Sequence, residues 1–269
     1  MLPLQEGIVY GPVHSRRLGR SLGINVFPRS VKLCTFNCSY CQYGWTRATP
    51  RSPRAPAEVW PRPASIARAV ALGLKRAAAQ RDHLSRLTLA GNGEPTLHPQ
   101  FPEVVDQLRA VRNELAPSVP LAILSNSSTL GTPSVVKALA KLDERYMKLD
   151  AGEPALMRRI NATTVPFEQI VDGLGRLQDI VIQTMFVRDR LGRIDNTGDV
   201  SVATWINVLL RLRPRAVQVY TIDREPAWPY LQPVPAARLD EIARRARAAG
   251  LDVQMFASTP MAAAATGGR

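Results

Sequence analysis

The chain has 269 residues, and 35 basic against 22 acidic side chains leave a formal charge of +13. At 45% hydrophobic residues it can bury a core, which excludes general disorder, and no apolar run approaches the ~18 residues of a membrane span. Three cysteines exclude a disulfide scaffold, and Met1–Gly11 lacks the basic start and apolar stretch of a secretory signal, so the expected location is the reducing cytoplasm, away from membranes. Arginine supplies nearly all of the positive charge, because lysine occurs only at positions 32, 75, 137, 141 and 148. Such a surface attracts RNA, DNA or anionic small molecules, or is simply an arginine-rich set of solvated helix faces.

In chain order, short apolar runs alternate with longer amphipathic stretches. Leu22–Phe27 reads as the first strand. A Pro- and Arg-rich surface excursion, Thr46–Pro63, carries Arg47, Arg51 and Arg54 and leads to a helix over Ala64–Arg81. Strands then fall at Leu87–Ala90, Leu121–Leu124, Tyr146–Leu149, Ile180–Phe186, Ala216–Tyr220 and Val253–Phe256. Between them helices fall at Pro102–Leu115, Ser134–Lys141, Phe167–Leu177, Ala203–Leu212 and Ala236–Ala249. The strands are short and rich in Val, Ile and Leu, as buried parallel strands are. Pro133 opens the third helix and Gly250 closes the last. Repeated strand–helix units with right-handed crossovers predict an α/β fold, a partial (βα)6-type TIM-like barrel with parallel strands; an open doubly wound sheet is the rival. Residues 1–257 are expected to form one domain with its core over roughly 11–226, and the Ala-, Gly- and Thr-rich tail, 258–269, is expected to fray.

All three cysteines lie in Cys34-Thr-Phe-Asn-Cys38-Ser-Tyr-Cys41, a C-x3-C-x2-C spacing. On a tight loop this brings three thiolates around one centre. They suit three irons of a cubane cluster, leaving the fourth iron without a protein ligand, as in a catalytic site. A three-cysteine zinc site or three unreactive thiols are the alternatives.

Polar motifs follow five of the strands: Gly91-Asn92-Gly93-Glu94-Pro95, Ser125-Asn126-Ser127, Asp150, Val187-Arg188-Asp189 and Thr221-Ile222-Asp223-Arg224-Glu225-Pro226. In a parallel barrel these positions converge on one mouth, where ligands bind. Lys148 and Asp150 share one strand face, because side chains alternate. They could pair, hold substrate or supply an amine as catalytic groups, or form a buried structural ion pair. Gln183 and Met185 form a similar pair on the next strand.

Cys34, Cys38 and Cys41, with aromatic Tyr40 before the last, resemble the signature of radical S-adenosylmethionine (SAM) enzymes. The 91–95 segment resembles that superfamily's glycine–glutamate–proline motif with Asn92 inserted. The resemblance implies one 4Fe–4S cluster on the three cysteines and SAM chelated at the open iron. The cluster's electron cleaves SAM, and the resulting 5′-deoxyadenosyl radical abstracts a substrate hydrogen. It implies Tyr40 near the adenine, Asn92, Gly93, Glu94 and Pro95 at the SAM amine, and Ser125 and Asn126 at the ribose. Asp150 and Met185 complete the expected cofactor-binding set. An electron donor such as flavodoxin or ferredoxin is implied as partner.

The likeness extends to a branch. Residues 11–23, Gly93-Glu94-Pro95-Thr96-Leu97-His98-Pro99 and Tyr220-Thr221-Ile222-Asp223-Arg224 resemble iron–sulfur oxidoreductases related to tRNA-wyosine synthase. The arginines and glycines of the first segment either line the pocket or shape a strand entry. Archaeal wyosine synthases carry further cysteines for a second cluster; this chain has none outside Cys34–Cys41, which argues against wyosine synthesis itself. The expected substrate is RNA, a modified nucleoside or a small molecule. A non-catalytic cluster-binding sensor and a zinc-containing RNA-binding protein are the other classes.

Overall fold

The elements follow one another as β1 (Val9–Ser15), β2 (Gly19–Ile24), α1 (Pro63–Ala79), β3 (Arg86–Leu89), α2 (Phe101–Leu115), β4 (Leu121–Ser125), α3 (Pro133–Leu139), β5 (Glu144–Lys148), α4 (Pro154–Asn161), α5 (Phe167–Leu174), β6 (Ile180–Asp189), α6 (Asp199–Leu212), β7 (Ala216–Thr221), β8 (Leu231–Pro233), α7 (Ala236–Ala248) and β9 (Val253–Phe256). This computed structural model describes residues 1–27, 31–46 and 60–258. Most of the expected surface excursion, with Arg47, Arg51 and Arg54, and all but the first residue of the expected tail lie outside the described residues.

The sheet runs β1-β2-β3-β4-β5-β6-β7-β9. Every pairing from β2 to β9 is parallel, and helices make the crossovers. Strand β1 pairs antiparallel with β2, and β8 antiparallel with the far end of β6. The mostly parallel sheet curls into a half-barrel, the partial TIM-like barrel expected. No helix among the described residues is long and apolar enough to cross a membrane.

Two departures have physical reasons. Strand β1 is hidden in the sequence because glycine interrupts its pattern. Gly23, on its partner strand, leaves room for Tyr10: a Cβ there would lie 2.2 Å from the tyrosine ring. Helix α4 is a mere eight residues, entered through Pro154, and too short to announce itself by periodicity. Strand β2 also begins earlier than expected, at Gly19.

The outer face of the sheet is mostly apolar, with Arg145, Ser125 and Thr184 as buried polar members. Leu87, Leu89, Leu121, Ile123, Met147, Ile182, Val217 and Val253 are buried in the main core. The inner face is graded. A small apolar layer of Ala122, Tyr146, Val181 and Ala216 packs around Leu18. Above it Lys148, Gln183, Gln218 and Gln254 stand in register across β5, β6, β7 and β9. The Gln183 amide donates to Gln218 (2.8 Å), and Gln218 to Gln254 (3.2 Å). The next layer is the mouth.

Candidate active site

The cysteine loop is strapped to the mouth from four sides. Leu33 N donates to Asn92 O (2.9 Å) and Glu94 N to Leu33 O (3.0 Å), so residues 91–95 and the start of the loop form a short parallel bridge. This pairing explains the glycines. A Cβ on Gly93 would lie 1.6 Å from the Leu33 carbonyl oxygen, and one on Gly91 2.4 Å from Asn25 Oδ1. Close approach is indeed what they permit, to the chain's own backbone and side chain. From α4, Asn161 O accepts from Asn37 N (2.8 Å) and Ile160 O from Ser39 N (2.9 Å). From the end of β4, Ser128 Oγ meets Thr35 Oγ1 at 2.5 Å. From the loop after β7, Trp228 N donates to Ser39 O at 2.7 Å.

Asn92 is fully buried and holds the N-terminal segment: its side chain accepts from Gln5 N (2.7 Å) and donates to Gln5 O (2.9 Å). Glu94 is 2% exposed. Its carboxylate accepts from Thr96 Oγ1 (2.6 Å), Thr96 N (3.2 Å), Ser125 Oγ (2.9 Å) and Asn126 N (2.5 Å). Burial raises its pKa, and these four donors offset only part of that. Glu94 therefore ties the end of β4 to the 91–95 turn, and the hydroxyl of Ser125 is spent on it. Pro95 opens a short 3-10 turn that Glu94 caps. Asn126 stays half-buried beside the cysteines. Its amide donates to Thr35 Oγ1 (3.0 Å) and lies 3.4 Å from Cys34 Sγ.

Across the mouth, Asp150 is 2% exposed and uses both oxygens. Oδ1 accepts from Met185 N (2.8 Å) and lies 3.5 Å from Lys148 Nζ; Oδ2 accepts from Asn161 Nδ2 (2.8 Å) and from the Tyr40 hydroxyl. The same Asn161 amide lies 3.1 Å from the Tyr40 hydroxyl and 3.3 Å from Cys38 Sγ. Burial and then Asp150 hold the Tyr40 hydroxyl well above its ordinary pKa, so it donates. Lys148 donates to the Tyr220 hydroxyl at 2.5 Å. Burial works against its charge, yet Asp150 and Tyr220 outweigh it and raise its pKa. The expected same-face pair of Lys148 and Asp150 thus exists, and Met185 sits next to it.

The other strand-end motifs serve the frame. Asp189 caps a turn, accepting from Arg193 N (2.7 Å) and Trp228 Nε1 (3.2 Å). Asp223 pairs with Arg16 at 2.8 Å, and Arg224 donates to Gln42 (2.8 Å). Sequence reasoning passed over Asn161 and the whole of α4. The signal was present: Gly152-Glu153-Pro154 repeats the Gly-Glu-Pro triplet of residues 93–95 just after Asp150.

Cys34, Cys38 and Cys41 offer three soft thiolate donors on one loop, a donor set that fits three irons of a cubane cluster. Among the described residues no group of three His, Cys, Asp or Glu is gathered into a single-ion site. The three thiols are half-buried and unpaired by disulfide. Burial, with neighbouring Cys38, pushes the Cys34 thiol up to about 12; burial, with Asp150, pushes Cys38 up to about 11. Iron binding would displace those protons.

A family model of the radical SAM superfamily matches residues 30–189, more than half of the chain. The chain belongs to the radical SAM superfamily. A UPF0026 protein of Helicobacter pylori strain 26695 is 32% identical to this radical SAM chain over 81% of it and 67% of the relative. A protein of Brachyspira hyodysenteriae named GTPase Obg is 28% identical over 80% of this chain. There the chain spans 30% of the relative's length. None of the chain's five lysines follows a glycine, so the G-x-x-x-x-G-K-[ST] phosphate loop is absent from it. Among solved structures, a radical SAM methyltransferase from Sphaerobacter thermophilus superposes with a TM-score of 0.63 at 14% identity, covering 88% of this chain and 66% of that one. TYW1 with a lysine-pyruvate adduct bound superposes with a TM-score of 0.61 at 16% identity, covering 85% and 73%. These likenesses are of fold.

Proposed function

We propose that this radical SAM chain is an enzyme that holds one 4Fe–4S cluster on Cys34, Cys38 and Cys41 and binds SAM beside it. The observation that carries the reading is the strapping of the cysteine loop: β4, α4, the 91–95 turn and the loop after β7 all hold it at the end of the barrel where Tyr40, Asp150 and Lys148 meet. Cluster and SAM, when bound, supply one-electron cleavage to methionine and a 5′-deoxyadenosyl radical that takes hydrogen from an unactivated carbon.

The chain's own residues orient and shield. The Asp150–Asn161 pair fixes the Tyr40 ring for an adenine to lie against. Asn126 and Met185 face the same space from β4 and β6. Lys148 remains a cation and serves to attract or position, since its protonated amine has no lone pair to act as nucleophile. An electron donor such as flavodoxin or ferredoxin would approach the cysteine loop. The substrate is a nucleoside, an RNA base or a small metabolite; the +13 charge supports an anionic partner.

The test is anaerobic. The chain is reconstituted with iron and sulfide, reductant and SAM are added, and 5′-deoxyadenosine is quantified. Product from the wild type and none from Cys38→Ala is expected. A complete cluster that neither binds nor cleaves SAM would instead make the protein a non-catalytic sensor.

A further inference from the structure

The turn between β1 and β2 reaches across the concave side of the half-barrel. Arg16 donates to Ala257 O and pairs with Asp223, and Leu18 fills the small inner core. Between them Arg17 turns inward. Its guanidinium carbon lies 3.8 Å from the centre of the Tyr220 ring, and Lys148 Nζ lies 4.9 Å from the same centre. Arg17 Nη1 is shut off from solvent and has no hydrogen-bond partner among the described residues. Stacking on a ring satisfies the face of a guanidinium and leaves its edge of N–H donors unused. The carboxylate in this layer, Asp150, is already committed to Tyr40, Asn161, Met185 N and Lys148. Two cations therefore share the Tyr220 ring, and among the described residues one buried donor has no acceptor.

We propose that Arg17 and Lys148, set around Tyr220, form the seat for an oxyanion, a carboxylate or phosphate, carried by the substrate. The proposal rests on the enzymatic reading above and names the substrate class: an anionic molecule held by its charged end in the barrel interior. A planar guanidinium matches either anion through paired N–H bonds, and Lys148 adds a point charge. The Gln183–Gln218 amides beside Lys148 then face the neutral part of the molecule. SAM itself carries a carboxylate, so the two sources must be separated.

Inorganic phosphate is the probe, titrated into the reconstituted chain under anaerobic calorimetry, with and without saturating SAM. Arg17→Gln is compared with Arg68→Gln, which removes the same charge from an exposed position on α1. Circular dichroism checks that Arg17→Gln is folded. The expected result is saturable phosphate binding in the wild type and in Arg68→Gln, weakened at least about tenfold in Arg17→Gln and unchanged by SAM, about 1.4 kcal/mol lost with Arg17. Equal binding in Arg17→Gln overturns the seat. Displacement of phosphate by SAM assigns the seat to SAM's own carboxylate and overturns the substrate proposal. Phosphate binding is read without turnover, so failure of SAM cleavage in the wild type would be a separate result, against the enzymatic reading alone.

Discussion

The inner face of the half-barrel buries charge at two levels, and they are built differently. At the foot, Arg86 grips Glu144 through two bonds, Nε to Oε2 at 2.5 Å and Nη2 to Oε1 at 3.0 Å, while the Tyr146 hydroxyl donates to the same carboxylate at 3.1 Å. The remaining Arg86 nitrogen reaches Leu18 O. There the Arg86 donors find acceptors, and the exposed Arg215 adds to the positive field on Glu144. Toward the mouth, Lys148 faces a spoken-for carboxylate, and Arg17, stacked on Tyr220, has no acceptor for Nη1 among the described residues. A buried polar group left unpaired costs free energy that a closed pair does not, and such a cost persists where a ligand removes it. The foot closes on itself, whereas the proposed anion would give the unpaired donor at the mouth its acceptor.

The sharpest test of that division is Glu94→Ala. It leaves Thr96 N, Thr96 Oγ1, Ser125 Oγ and Asn126 N without their acceptor in a buried setting. A loss of about 3 kcal/mol in urea unfolding is expected, because each stranded donor costs about 1 kcal/mol or more. A variant that unfolds like the wild type but binds SAM poorly would show that Glu94 is a ligand group and not part of the frame.

Gly93→Ala attacks the strap. Gly93 has φ of +142°, and a Cβ would strike the Leu33 carbonyl, so the bridge that aligns Cys34 must open. Strain of about 2 kcal/mol is expected, together with reduced iron content after reconstitution. Normal iron loading would mean that the other three straps suffice to hold the loop.

Asn161→Ala removes one amide shared by Cys38, Tyr40 and Asp150. A stability loss of about 1 kcal/mol is expected. The more telling change is in the cluster's midpoint potential, followed by spectroscopic titration. A donor to a ligating sulfur favours the reduced, more negative cluster, so its removal should move the potential down. An unchanged potential would confine Asn161 to holding Tyr40 and Asp150.

These residues also mark where the sequence stops being readable. Strand β9 falls at Val253–Phe256 as expected, and β4 and β7 are off by one residue at one end, because a buried parallel strand is a local apolar run. The shared face of Lys148 and Asp150 followed from strand alternation, again a local rule. The cysteine spacing is local too. The straps are not: Leu33 meets residues 92–94, and Asn161 meets Cys38 across 123 positions of chain. No spacing rule links such partners; the curl of the sheet alone brings them together. That is why residues 91–95 and Ser125 suggested ligand contacts without also showing the hydrogen bonds by which Asn92, Glu94 and Ser125 tie the frame together. It is also why Asn161, on a helix two turns long, escaped notice.

The smallest effect belongs to the foot, and it has a sign. Burial would raise the Glu144 pKa, but the Arg86 hydrogen bonds and charge, with the Tyr146 hydroxyl, overcome it and leave the pKa below the ordinary carboxylate value. Folding therefore favours the ionised form. The stabilisation is fully present above the unfolded value, about 4.3, and is lost as pH falls through the lower folded value. Glu144→Gln lacks this dependence. The wild type should exceed it by less than about 1 kcal/mol at pH 7, since both side chains are partly exposed to screening water. In urea unfolding the gap between the two should hold steady down to about pH 5 and close below about pH 4. A gap that widens with acid would mean that Glu144 is held protonated, and the foot would then carry an uncancelled Arg86 as the mouth carries Arg17.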